Sequence, residues 1–372
     1  MSGKQKQKED AEVQAISNDI TQMYNRGIPL FTKDAIRRVA EQLDKYRYSK
    51  LEGDRLHFKN MKGEDVEVIL DPNKPPVWID KRCNHGDRRL GPYIYYRSIQ
   101  YVLDQEDMNT VDPQKACIAI GVTWPGPCPV VHHHRMPSID ETMSTGFQYA
   151  KLSEMFDDVR LQWETSEQCA QLKQLLKSKK AQLTNVKKIV AFALGTLATD
   201  SRVSRPSMVQ HALILSLQQL LPKTKEADNK ISRMFQNVKN SLSRSKTFEP
   251  PFPCFAQDPA YLSRDKRLLT EAGITVLEDP RAFLEVDDTC LVVSVDPNIP
   301  VRQIIADIAR PVAIIQHRMM DINGPEARSC ADHSSVRVQR MLEGEYDEER
   351  IRYHESLNSV SMYIRKPVRK TA

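Results

Sequence analysis

An α/β fold built on a mostly parallel sheet is what this sequence predicts, on three observations. Between Val186 and Met319 short β-branched apolar runs alternate with helix-length amphipathic stretches. The first run, Ile189-Val190-Ala191-Phe192-Ala193-Leu194-Gly195-Thr196, is continuously apolar and then meets glycine. That is the pattern of a strand buried on both faces and delivered into a tight loop. Further apolar runs at 252–256, 290–295 and 312–315, with a shorter one at 274–277, are each separated by helical patterns. Strands alternating with helices predict βαβ units, hence a Rossmann-like sheet flanked by helices, preceded here by an α+β N-terminal extension.

Taken in order, residues 1–12 are rich in Lys, Gln and Glu and lack the apolar core of a signal peptide, so they read as a disordered leader. The extension covers 13–180. Val13, Ile16, Ile20 and Met23 recur at helical spacing, and Thr32 caps a helix whose Ala35, Ile36, Val39, Ala40 and Leu43 share one face. Residues 55–58 and 66–70 alternate around Lys62-Gly63 and predict a hairpin. A Pro-rich turn at 71–76 precedes a short strand at 77–79. Tyr93, Tyr95, Tyr96 and Tyr101 cluster near Arg97, and 116–122 reads as a strand stopped by Trp124-Pro125-Gly126-Pro127. A polar helix over 166–180 carries Cys169, Leu172, Leu175 and Leu176 as its apolar stripe.

The α/β domain is placed at 181–322. Pro206 suits the first turn of a helix over 206–221, in which Val209, Ala212, Leu213, Leu217 and Leu220 recur on one face. Residues 223–246 form a basic, Ser-rich insert. Helices follow at 262–272 and 301–309, the second with Val301, Ile304, Ile305 and Ile308 in phase. Residues 323–372 read as a polar C-terminal tail with one charged helix at 336–343.

Composition bounds the function. With 40% hydrophobic and 28% charged residues, the 372-residue chain has the balance of a globular protein. No apolar run reaches the roughly 20 residues that cross a bilayer, so no membrane association is expected. Seven scattered cysteines argue for a reducing compartment, cytoplasm or nucleus, over a disulfide framework. A net charge of +5 permits a phosphate polymer as partner without demanding one. The insert at 223–246 is the segment that would contact nucleic acid, although a solvated loop is the simpler account of its charge.

In an open parallel sheet ligands gather beyond the carboxyl ends of the strands. Gly195-Thr196, Asp258-Pro259, Asp296-Pro297 and Gln316-His317 occupy such ends, so Gly195, Thr196, Asp258, Asp296 and His317 form the candidate cofactor pocket. A carboxylate ending a strand beside a Gly loop is where dinucleotide folds hold a ribose hydroxyl, and His317 titrates near neutrality. The single glycine is not Gly-x-Gly-x-x-Gly, however, and the bland alternative is a set of turn residues. His132-His133-His134, with Cys128, Cys83 and His85, invites a metal, but neighbouring histidines on a strand point to opposite faces and paired ligand spacing is absent. No metal is expected. No nucleophile elbow, Walker loop or His-Glu-x-x-His motif occurs.

The order of motifs resembles the SRR1-like domain, a family named from a plant protein of light signalling (sensitivity to red light reduced). The matching pieces are the 189–196 strand and loop, Met208-Val209-Gln210-His211-Ala212-Leu213, Phe255-Ala256-Gln257-Asp258-Pro259, and Asp265 through Leu268-Leu269 to 273–277. Gln210, Asp258-Pro259 and Asp265 match family positions, and the N-terminal half looks like the extension of fungal members. The family's Pro-His pair after a later strand is replaced here by Val295-Asp296-Pro297, so histidine chemistry is not carried over.

The resemblance implies a regulatory protein acting through protein partners in signalling, circadian or stress-type regulation, without an established reaction. The tyrosine cluster or the basic insert would be its contact surface. The competing expectation is an enzyme or sensor that binds a nucleotide-like cofactor, S-adenosylmethionine or a dinucleotide, at the strand ends.

Overall fold

The computed structural model describes residues 3–49, 55–69, 93–103, 118–123, 149–198, 204–221, 252–319 and 331–367. The predicted strands at 77–79, the His132–His134 run with Cys83, His85 and Cys128, and the basic insert lie outside them.

Seven strands form one sheet. In chain order they are β5 (Lys188–Phe192), β6 (Cys254–Gln257), β7 (Thr275–Val276), β8 (Cys290–Ser294), β9 (Ala313–His317), β10 (Tyr346–Arg350) and β11 (Val360–Arg365). Their spatial order is β10-β11-β9-β8-β5-β6-β7. The five from β5 to β9 are mutually parallel, and β11 runs antiparallel between β9 and β10. The α/β sheet flanked by helices is therefore as the sequence predicts. Four earlier strands make two small antiparallel pairs. One joins β1 (Arg55–Lys59) to β2 (Asp65–Ile69) across a turn in which Gly63 holds a φ of 79°. The other joins β3 (Tyr93–Tyr96) to β4 (Ile120–Thr123).

From β5 the chain steps one way to β6 and β7, then crosses back to β8 and β9. Right-handed crossovers made in opposite directions put their helices on opposite faces. Accordingly α7 (Arg205–Leu220) and α8 (Ser263–Glu271) cover the face of Ile189 and Ala191, joined there by α4 (Tyr149–Glu164), α5 (Glu167–Ser178) and α6 (Lys180–Leu183). Helices α9 (Arg281–Glu285), α10 (Val301–Ile308) and α11 (Val336–Glu345) cover the face of Val190 and Phe192. On that second face the N-terminal helices α1 (Gly3–Asn25), α2 (Lys33–Ser49) and α3 (Ile99–Val102) share the same apolar cluster. The extension is thus packed onto the sheet.

Polar ties fix that packing. Asp307 of α10 accepts from the Leu30 and Phe31 N–H groups at 2.7 and 3.0 Å and pairs with Arg337, whose guanidinium lies 3.9 Å from the Tyr24 ring centre. Gln303, also on α10, accepts from the Ile99 N–H at 2.9 Å.

Two segments depart from expectation. Residues read as a disordered leader belong to α1, which begins at Gly3; Lys, Gln and Glu are good helix formers even without an apolar stripe. Residues read as a polar tail supply the helix at Val336–Glu345 and then two sheet strands. Of these, β11 is buried along nearly its whole length, while β10 is an edge strand whose outer residues are charged. Among the described residues no helix is long and apolar enough to cross a membrane.

Candidate functional site

The strand order places β5 and β8 side by side at the point where the chain reverses direction across the sheet. Loops leaving two such strands diverge to opposite faces, which opens a crevice at their carboxyl ends. The sequence-predicted residues lie along this end in two groups.

The first group is built on the exit from β5. Ala193 and Gly195 both have positive φ, 54° and 76°, so the chain turns sharply about Leu194. Asp258, just beyond β6, holds this turn: its Oδ2 accepts from the Gly195 N–H at 2.7 Å and its Oδ1 from the Ala260 N–H at 2.8 Å. Ser207 in the first turn of α7 donates to the Gly195 carbonyl at 2.7 Å. Thr196 is buried and donates its hydroxyl to Asp265 Oδ2 at 2.6 Å, an oxygen that also accepts the Leu262 N–H at 2.8 Å. Burial raises the Asp265 pKa, against the hydrogen bonds from Thr196 and Leu262. Gly195, Thr196 and Asp258 are therefore joined, with Asp265 completing the set.

Beneath them His211 is fully buried. Its Nδ1 faces the Ser207 carbonyl at 2.7 Å and its Nε2 the Tyr261 hydroxyl at 2.8 Å. A carbonyl can only accept, so Nδ1 carries the proton and Tyr261 donates to Nε2. Burial holds this imidazole neutral, its pKa lowered to about 4 against the raising effect of the Ser207 bond. His211 thus braces the loop as a neutral ring.

The second group lies at the ends of β8 and β9. Asp296 is exposed and His317 half-buried. Burial lowers the His317 pKa, the Asp296 charge raises it, and the Arg302 charge lowers it. The structure thus brings Asp296 and His317 within electrostatic reach of one another. Arg302, in the first turn of α10, lies 3.2 Å from Asp332 and donates to the His317 carbonyl at 3.1 Å. Asp332 also accepts the Arg302 N–H at 3.0 Å, and burial pushes its pKa up to about 6 despite Arg302.

Buried polar atoms in folded proteins nearly always find partners, so those that do not need a reason. Among the described residues several buried side-chain atoms at this end of the sheet have none. Gln210 Oε1 and Asp265 Oδ1 belong to the first group. Ser294 Oγ, Gln316 Nε2, His317 Nε2, His333 Nδ1 and Ser334 Oγ belong to the second. Sequence reasoning missed Ser294, Arg302 and Asp332 as site residues. The signal for Ser294 was a hydroxyl closing the otherwise apolar Cys290-Leu291-Val292-Val293; Asp332 carried none.

The expected aromatic surface is partly internal. Tyr96 donates to Asp279 at 2.5 Å and packs 5.6 Å from the Phe283 ring, and the same Asp279 accepts from Gln257 at 2.7 Å. Tyr95 lies against Gly121 and under Arg97, whereas Tyr101, at 46%, is strongly exposed. A cavity of about 210 Å³ lies elsewhere, between the end of α1 and α11, where Arg310 and Arg337 are already paired with Glu345 and Asp307. Among the described residues no group of His, Cys, Asp or Glu could hold a metal ion.

Comparison with known proteins adds one finding. No curated protein and no solved structure matches the chain. The SRR1 domain matches residues 172–363, from α5 through β11 and so including both strands of the C-terminal segment. With that match spanning more than half of its length, the sheet, the Gly195 loop and the Asp258 and Asp265 positions included, this chain belongs to the SRR1 domain family.

Proposed function

We propose that the carboxyl end of this sheet binds a nucleoside-type ligand that lacks a pyrophosphate, with S-adenosylmethionine as its best chemical example, in a sensor or enzyme. The strand order carries this reading. Numbered from β5 it runs 3-2-1-4-5-7-6 with only the seventh strand antiparallel, so the order reverses between β5 and β8, the switch point at which open α/β sheets take nucleotide-like ligands. That order speaks to the ligand's place, not to a reaction.

The local chemistry supports the same choice. Asp258 sets a carboxylate beside the Gly195 turn at the end of β6, accepting the Gly195 and Ala260 N–H groups, the kind of strand-end acid that meets a ribose hydroxyl. A pyrophosphate instead needs free N–H groups at a helix start. Here α7 begins only at Arg205, its first turn contains Pro206, and Ser204 Oγ faces the Ser207 N–H at 3.4 Å. A dinucleotide is therefore the poorer candidate.

A regulatory output through protein partners, in the cytoplasm or nucleus, belongs to the same proposal. Its compartment is supported by the free and buried state of Cys169, Cys254 and Cys290. Thermal denaturation with S-adenosylmethionine, NAD and ATP tests the ligand. At 100 times its Kd a true ligand adds about 2.7 kcal/mol of stability. S-Adenosylmethionine should shift the transition and Asp258→Ala should abolish the shift. A shift with NAD or ATP alone, or with none of the three, would overturn the reading.

A further inference from the structure

The β8–β9 half of the same sheet end holds an observation that the nucleoside reading does not use. Ser294 and Gln316 are register partners on neighbouring parallel strands, so their side chains leave the same face, roughly 4.8 Å apart. Each is 3% exposed, and neither Ser294 Oγ nor Gln316 Nε2 has a hydrogen-bond partner. His317, the next residue on β9, points to the opposite face and is not part of this pair.

The surrounding charge limits what could satisfy them. Arg302 and Asp332, 9% and 1% exposed, neutralise one another at 3.2 Å, Arg318 is paired with Glu348 at 3.7 Å, and Asp296 adds an exposed carboxylate. Among these described residues each cation already has a carboxylate partner, so a phosphate or carboxylate would enter against the Asp296 charge without an unpaired cation to receive it. An uncharged group that offers a donor beside an acceptor meets both side chains: Gln316 Nε2 donates, and the Ser294 hydroxyl turns to accept.

We propose that Ser294 and Gln316 form the floor of a second subsite that takes the uncharged hydrogen-bonding edge of a small molecule, a primary carboxamide or a nucleobase. It shares the sheet end with the nucleoside site but does not depend on it.

Ligand-observed NMR on the full chain tests this with nicotinamide and adenine as probes and nicotinic acid as the charged control, each in the presence of saturating S-adenosylmethionine. At least one neutral probe should bind at millimolar concentration, and which one does so tells a carboxamide from a nucleobase. Nicotinic acid should not bind. Gln316→Leu should weaken binding by roughly tenfold or more, the loss of one buried hydrogen bond, while its melting temperature stays level or rises because an unpaired amide has gone. Absence of binding by both neutral probes, equal binding of nicotinic acid, or unchanged binding in a folded Gln316→Leu would overturn the proposal; Ser294→Ala serves the same test should Gln316→Leu fail to fold.

Discussion

Acid should act on this protein through His211, and the effect can be isolated by difference. The ring is fully buried and its pKa is lowered by that burial from 6.5 to about 4. A base whose folded pKa lies below its unfolded value binds fewer protons when folded, so its contribution to stability is complete above 6.5 and is lost as pH falls toward 4. The gap of about 2.5 units corresponds to about 3 kcal/mol. Asp332 works the other way: burial raises its folded pKa to about 6, so it favours the folded state as pH falls. The pair therefore offset each other in the wild type, and a pH profile of the wild type alone would hide both. The measurement is the urea midpoint of wild type and His211→Gln at several pH values, converted by linear extrapolation. Glutamine retains a donor for the Ser207 carbonyl and an acceptor for Tyr261. From pH 6.5 to 4 the wild type should lose about 3 kcal/mol relative to the variant. Against Asp332→Asn the wild type should instead gain about 2 kcal/mol over the same window. A flat His211 difference curve, or one of opposite sign, would refute the assignment of a buried neutral imidazole.

Three further outcomes follow from named contacts. Gly195→Ala places a side chain at a φ of 76° and should cost about 1–2 kcal/mol, with Gly195→Asn milder, read from the melting temperature; equal stability of both variants would show that the loop relaxes freely. Arg302→Met strands the buried Asp332 and should cost about 3–5 kcal/mol, whereas Arg302→Met with Asp332→Leu should recover most of that loss; denaturant midpoints decide. Asp307→Ala removes the acceptor shared by Leu30, Phe31 and Arg337 and should cost about 3 kcal/mol. Limited proteolysis should then cut first within residues 3–49, and unchanged cleavage there would show that the apolar contacts of α1 and α2 suffice.

Most elements were legible because their signals are local. The runs at 189–192, 290–294 and 313–315 are apolar on both faces, which only a sheet covered on both sides accepts, and 301–308 carries a helical apolar stripe between two of them. Even the hairpin turn at Lys62-Gly63 sits where the alternation breaks. The missed strands show where such reasoning stops. Tyr346-Asp347-Glu348-Glu349-Arg350 is polar because it is an edge, and it pairs only because β11 lies beside it. Val360–Arg365 did carry an apolar signal, Val360, Met362 and Ile364 alternating to one cluster, but its polar surroundings masked it.

The candidate site divides in the same way. Gly195 and Asp258 could be named because each ends an apolar run, and their 2.7 Å contact follows once β5 and β6 pair in parallel. Ser294, Arg302, Gln316 and Asp332 gain their meaning from burial, and burial at a strand tip depends on what the chain lays over it. The sequence by itself determined the kind of each element and the face it would hide, since side-chain spacing along a helix or strand is set by covalent neighbours. Only the tertiary structure decided which strand tips stand together, that β11 enters the sheet reversed, and which polar atoms are enclosed without partners, because those outcomes belong to pairings between residues far apart along the chain.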